Sequence, residues 1–249
     1  MRPSLCIAGC LSTAFACVPP AHAGVVLANT RVVFPGDARA VTVRLDNRHA
    51  HPVLVEAWVE HGAARTPDAR AGAPFSIVPF APHPPLVRIE PGKGQALRVH
   101  RLPGPLPQDR ETLFSLNVLD IPPDLPATST TSAMKIALHT RVKLFHRPAG
   151  LPGTASRAPG ALRWRMASDA LQIDNPTPYH VSIARVVVGD QLDLRGDMVA
   201  PFSTHTLRID PAAAARLRAS GRVAFDAIND VGGLDRFTVA LAATGEDAR

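Results

Sequence analysis

The pattern that most limits this chain has a period of two. Apolar and polar residues alternate over runs of strand length, and most runs stop at a proline or glycine. Val25 to Phe34 ends at Pro35-Gly36-Asp37, Val41, Val43 and Leu45 alternate with Thr42 and Arg44, and Val53, Val55, Ala57 and Val59 alternate with Leu54, Glu56 and Trp58. Side chains two apart share one face of a strand, so these runs suit half-buried β-strands. Further runs at Leu86 to Ile89, Ala96 to Val99 and Leu113 to Leu119 are divided by Pro91-Gly92-Lys93-Gly94 and by Leu102 to Pro107. Proline there excludes both a helix interior and a central strand. A chain that is 46% hydrophobic yet holds 25 prolines in 249 residues has the material for cores broken by many turns. Adding the run that ends at Phe145 gives roughly seven strands, enough for an antiparallel sandwich of immunoglobulin type with no helical layer.

That run is the longest. In Met134 to Pro148, Met134, Ile136, Leu138, Val142 and Leu144 are apolar with polar or small residues between them, and a polar tract, Thr128 to Ser132, precedes them. Alternation predicts one long strand from Met134 to Phe145. An interior strand of the sandwich would explain it. A long apolar strand beside a loop also invites pairing with another chain. Lys143 has the opposite parity to Met134, Ile136 and Leu138, so strict alternation puts it on the other face unless twist or a bulge intervenes.

Arg147 to Pro159, with three prolines and two glycines, reads as a hinge. It divides residues 24–146 from a second β-rich unit, 160–249. Runs there fall near Leu162 to Met166, Leu171 to Ile173, Val181 to Val188, Thr204 to Ile209, Arg222 to Ile228 and Arg236 to Leu241. One helix is expected, with Asp210 as cap, Pro211 in the first turn, Ala212 to Ala219 as body and Gly221 as stop.

Residues 1–23 read as a signal peptide. Arg2 gives a positive start, Leu5 to Val18 is too short to span a bilayer, and Ala21-His22-Ala23 is a small-x-small cleavage signal. Ile7-Ala8-Gly9-Cys10 resembles a lipidation box, but too little apolar length precedes Cys10. Cys6, Cys10 and Cys17 all lie in the leader, so the mature chain has no disulfide, thiol nucleophile or cysteine metal site. Losing Arg2 takes the net charge from +6 to +5, and arginine outnumbers lysine 24 to 3. The arginines are scattered singly, and only nine Phe, two Trp and one Tyr are present, which argues against a nucleic-acid surface.

Catalytic chemistry is hard to assemble. His49 and His51 could share a strand face, but they sit in the turn-like Asn47 to Pro52 with no further ligands nearby in sequence. Ser203 and His205 lack an acidic partner, and no GxSxG, HExxH or phosphate-cradling loop occurs. The residues predict neither an enzyme nor a metal or cofactor protein.

A set of short motifs then carries a family resemblance. Asn29 to Gly36 (NTRVVFPG), Pro91 to Gln95 (PGKGQ), Pro107 to Phe114 (PQDRETLF) and Ile121-Pro122-Pro123 look like the periplasmic pilus (fimbrial) chaperones of the chaperone–usher pathway. So do Lys143 to Pro148 (KLFHRP), Asn175 to Tyr179 (NPTPY) and Ile228 to Gly233 (INDVGG), in family order over nearly the whole mature chain. The resemblance implies two immunoglobulin-like β-sandwich domains in a boomerang, a client cleft between them and no nucleotide. It implies that Arg31 and Lys143 anchor the carboxylate at a pilus subunit's C-terminus. Met134, Ile136 and Leu138 then fill the groove of a subunit lacking its own final strand, a mode of recognition known as strand addition. Glu111, Arg147 and Asp230 match an interdomain charge cluster. The implied partners are pilus subunits and an outer-membrane usher, in the periplasm, with self-capping into a homo-oligomer when no client is present.

Two departures are visible. Ser76 to Pro85 is longer than the family's turn, and the second unit lacks the cysteine pair of some members. The cysteine-free loop before Met134 is closer to the short-loop subfamily. Two other readings share the fold class: a two-domain surface adhesin or binding module, which would not need Arg31 and Lys143, and a periplasmic metalloenzyme, which would need converging histidines.

Overall fold

The structure, a computed structural model, describes residues 24–62, 78–124, 135–167, 170–188 and 192–242. Among these residues nine strands build a first sandwich: β1 (Val25–Leu27), β2 (Arg31–Pro35), β3 (Ala40–Asn47), β4 (Val53–His61), β5 (Phe80–His83), β6 (Leu86–Ile89), β7 (Gly94–Arg101), β8 (Thr112–Ile121) and β9 (Leu138–Arg147). One sheet has the order β1-β3-β7-β5 and the other β2-β9-β8-β4-β6. The inward residues of both fill the space between them, among them Phe34, Leu45, Leu97, Phe114, Leu116, Val142 and Leu144.

Two expectations change here. The run Val25 to Phe34 is not one strand: β1 pairs with β3 in the first sheet, and after Ala28–Thr30 the chain crosses to pair β2 with β9 in the second. A period-two pattern survives such a crossing because both pieces still bury alternate residues. β5 was not anticipated, since Pro82 lies within it. The proline is tolerated because β5 is an edge strand, paired among the described residues only with β7. Its Phe80 closes the core edge-to-face against Phe34 and Phe114, with ring centres 4.9 Å apart in each case.

The second sandwich contains β10 (Arg163–Ala167), β11 (Ala170–Asn175), β12 (Val181–Val188), β13 (Leu192–Arg195), β14 (Met198–Val199), β15 (Ser203–Arg208), β16 (Arg222–Ile228) and β17 (Leu234–Ala242). β17 runs antiparallel to β16 up to Ala240, then pairs Leu241 and Ala242 with Trp164 and Arg165 of β10. One strand thus serves both layers. Trp164, Leu171, Ile173, Val186 and Phe225 lie at the centre of a core that shares no residue with the first. On this sandwich the Asp226 carboxylate accepts from Arg236 (2.8 Å) and Arg185 (2.6 Å), and these bonds hold its pKa down at about 2.

The expected helix is α1 (Pro211–Ser220). Asp210 accepts from the Ala213 N–H at 2.8 Å, and Gly221 ends the helix at φ 62°, in the left-handed region that favours glycine.

Candidate functional site

The site begins with register. Among the described residues β2 and β9 are the one parallel pair of the first sandwich, and their ladder starts with Arg31 opposite Lys143. Directly paired residues share a face, so two cations 112 positions apart in sequence stand side by side. The β8–β9 ladder runs from Thr112↔His146 to Asp120↔Leu138 without a register shift. No bulge brings Lys143 round to the face of Leu138, Val142 and Leu144. The bulge that the sequence reading allowed for is absent, and Lys143 faces away from the core while the even-numbered residues face it.

β2 covers only residues 143–147 of β9. From Leu138 to Val142, β9 pairs with β8 on one side and with no described strand on the other. On this open half the core-facing row runs outward past the end of the core. Val142 is 7% exposed, Leu138 46% and Ile136 59%. The ladder begins at Leu138, so the expected strand start at Met134 needs correction: Lys135 to Ala137 lie outside the strand, and Met134 lies outside the described residues.

Behind the open edge, the two sandwiches meet at a cavity of about 250 Å³ lined by residues that include Arg31, Phe145, Arg147, Ser182, Asp230 and Val231. Lys143 does not line it, but its Nζ donates to Ser182 Oγ at 3.2 Å. Arg31 is 7% exposed. One guanidinium nitrogen donates to the Ile228 carbonyl of the second sandwich at 2.9 Å, and its Nε makes no hydrogen bond among the described residues. Burial lowers the Arg31 pKa from its usual value, opposed by the charges of Asp230 and Glu111. A partly desolvated arginine with a spare donor is well suited to an anion, because a carboxylate would restore hydrogen bonding and charge balance together.

Arg147, at the end of β9, is the other cation of the cleft. Its Nε donates to Glu111 at 2.6 Å, and its two terminal nitrogens donate to Asp230 at 2.7 and 2.9 Å. Burial works against the Arg147 charge, but hydrogen bonding and attraction from Asp230 and Glu111 win and raise its pKa above the usual value. Glu111 also accepts from the His180 N–H at 2.8 Å, and its own N–H donates to the Pro178 carbonyl at 2.9 Å. The three residues named from the sequence therefore form one ion-paired cluster joining the sandwiches. His180, Ser182 and the Ile228 carbonyl were not anticipated. His180 directly follows the Asn175 to Tyr179 motif, the one signal that could have drawn attention to it.

The other polar pairs stay small. His49 and His51 stack with ring centres 4.6 Å apart, and the fold supplies a carboxylate the sequence did not reveal, with His49 Nε2 2.8 Å from Asp120. Among the described residues no group of three side chains could hold a metal ion. His205 has Asp197 at 3.9 Å, an acidic neighbour that was not expected, but Ser203 donates to the Ala200 carbonyl.

Comparison with known proteins gives this geometry its context. Residues 24–152 match the family described as pili and flagellar-assembly chaperone, PapD N-terminal domain, and residues 157–238 match the pili assembly chaperone PapD, C-terminal domain. The probable fimbrial chaperone YadV of Escherichia coli K12 is 36% identical over 234 residues, covering 90% of this chain and 92% of the relative. The crystal structure of the Pseudomonas aeruginosa CupB2 chaperone is 36% identical with a TM-score of 0.70, covering 87% of this chain and all of that one. The SafB chaperone of Salmonella enterica, solved in complex with the SafA pilin, has a TM-score of 0.73 at 29% identity, covering 88% and 96% of the two chains. With both family domains matched in order and two β-sandwiches to hold them, this chain belongs to the pilus-assembly chaperones, a family of chaperones and not of enzymes.

Proposed function

We propose that the protein captures pilus subunits in the periplasm by lending them the open half of β9, anchors their C-terminal carboxylate at Arg31 and Lys143, and passes them to an outer-membrane usher. The single observation that carries this reading is the edge of β9 from Leu138 to Val142, which no described strand covers and which ends at the paired cations. A client strand laid on that edge with its carboxylate at Arg31 has to run parallel to β9, in line with β2. Its main chain pairs with the edge, while Met134, Ile136 and Leu138 offer apolar side chains to the client's own groove. Two cations then fix the register of everything beyond the carboxylate. In this reading residues 147–159 are the hinge between sandwiches 24–146 and 160–249, and the cluster of Arg147, Glu111 and Asp230 sets their angle.

The test uses a synthetic peptide with the sequence of the last dozen residues of a pilus subunit encoded beside this chaperone. The free-acid peptide is expected to bind and to slow hydrogen exchange at the amides of Leu138 to Val142. The same peptide with an amidated C-terminus is expected to bind at least tenfold more weakly. Equal binding of the two, or exchange unchanged along β9, would overturn the proposal.

A further inference from the structure

Away from the cleft, at the outer end of β8 and β9, lies a buried carboxylate with one oxygen left over. The Asp120 side chain is 5% exposed. Its Oδ2 accepts from the Val25 N–H at 3.1 Å and meets His49 Nε2 at 2.8 Å, whereas its Oδ1 is buried with no hydrogen-bond partner among the described residues. A buried carboxylate oxygen without a donor is costly and marks a place where a donor belongs.

The neighbouring chain is Gly24, the first residue after the expected cleavage point. Its carbonyl accepts from the Arg48 N–H at 3.2 Å, and the next amide along is the Val25 N–H already on Asp120. A Cβ at Gly24 would lie 3.1 Å from Asp120 Oδ2 and 2.9 Å from Leu138 Cδ1. Gly24 thus sits against both the carboxylate and one of the exposed apolar side chains of β9. In the precursor its nitrogen is a neutral amide with one hydrogen. After cleavage it is a cation with three.

We propose that removal of the leader after Ala23 creates an ion pair in which the α-ammonium of Gly24 donates to the spare oxygen of Asp120, fixing the mature N-terminus beside Leu138. The precursor's neutral amide can offer at most one uncharged hydrogen bond, so the ion pair forms only on processing. The titratable side chains facing this point are Asp120 from β8 and, from the β3–β4 turn, His49 with His51 stacked on it. The proposal rests on the leader reading, and the test separates the two.

Mature protein is purified from the periplasm, its first residue is identified by N-terminal sequencing, and amines are labelled with acetic anhydride between pH 6 and 10. Lys93, Lys135 and Lys143, the three lysines of the chain, serve as internal references. The Gly24 amine is expected to titrate about one unit above the ordinary α-amino range of about 7.7–8.0, and to react about fivefold more slowly than a free terminus at pH 8. Asp120→Asn is expected to restore ordinary titration. A Ser-Ala extension ahead of Gly24 keeps Asp120 but moves the charge away, so it decides the matter even if the Asn variant does not fold. The extended terminus is expected to titrate normally. Because a raised α-amino pKa stabilises below the unfolded value and is lost as pH rises through the folded one, the melting temperature of mature protein is expected to fall more steeply above pH 8 than that of the extended form. A first residue other than Gly24 overturns the leader reading and the ion pair with it. Gly24 as first residue with an ordinary amine overturns the ion pair alone.

Discussion

Replacing Ile136 and Leu138 together separates a lending strand from an ordinary core strand. Asparagine is the suitable substitute, because an aspartate at 138 would stand directly opposite Asp120 in the β8–β9 ladder and add like-charge repulsion to the result. Full burial of such a side chain contributes about 1.5–3 kcal/mol. With Ile136 59% and Leu138 46% exposed, the free protein realises about half of that at each site, so the double variant costs about 2 kcal/mol. The exposed remainder becomes available only when a client covers it. That portion is also about 2–3 kcal/mol, or a 30- to 150-fold loss of affinity, before the cost of burying two amides in an apolar groove. Leu144→Asn is the control. Leu144 is fully buried in the core, and an unpaired amide there costs about 4 kcal/mol or more. The assay pairs the denaturant midpoint of purified protein without client against the amount of subunit recovered with it from the periplasm. We expect the double variant to lower the midpoint by only its share of about 2 kcal/mol while losing the subunit, and the control to lose at least twice that stability along with the subunit. A double variant as unstable as the control, or one that still recovers normal amounts of subunit, would refute the reasoning.

Three further outcomes follow from the cleft and the second sandwich. Arg31→Gln is expected to melt no lower than wild type, since it removes a cation whose burial is incompletely compensated, yet to abolish subunit accumulation; a normal subunit level would end the anchor assignment, and Lys143→Ala should behave alike. Arg147→Gln leaves Glu111 buried without its cation and should loosen the pairing of the sandwiches, seen as a larger radius of gyration in X-ray scattering, whereas Asp230→Asn, at a carboxylate 46% exposed, should cost under about 1 kcal/mol. Asp226 has a folded pKa of about 2, depressed below its ordinary value, so its contribution is complete above about pH 4 and lost as pH falls toward 2. Asp226→Asn should lower the melting temperature at neutral pH and flatten its dependence over that acid window.

What could be read in the sequence was what is local. α1 was legible because Asp210, Pro211 and Gly221 act within one turn of the backbone they cap. β16 matches the run Arg222 to Ile228 because Val223, Phe225 and Ala227 alternate without a break, and β12 matches Val181 to Val188 because it is apolar enough to absorb the bulge between Ile183 and Arg185. The charge cluster was legible only through the family's motifs, since nothing local links Glu111 to Asp230. The crossing at Ala28–Thr30 was not legible, because alternate burial looks the same whichever sheet a strand joins. Strict alternation gave the face of Lys143, but not its pairing with Arg31, which depends on a parallel partner far away in sequence. His49 looked unpartnered because Asp120 lies 71 residues further on. β5 was hidden by Pro82, a warning against central strands that an edge strand escapes.

The parallel pairing of β2 with β9 also sets a clock. Chains emerge from the N-terminal end, so Arg31 is exposed early and must wait for Lys143, and the Ile228 carbonyl that receives its guanidinium comes 197 positions later. A half-made chain cannot hold the two cations together, because the contacts that do so are among the longest-range in the protein and form only after their loops close. If Arg31 and Lys143 anchor a subunit as proposed, that grip is finished late, and a copy truncated before Lys143 has none.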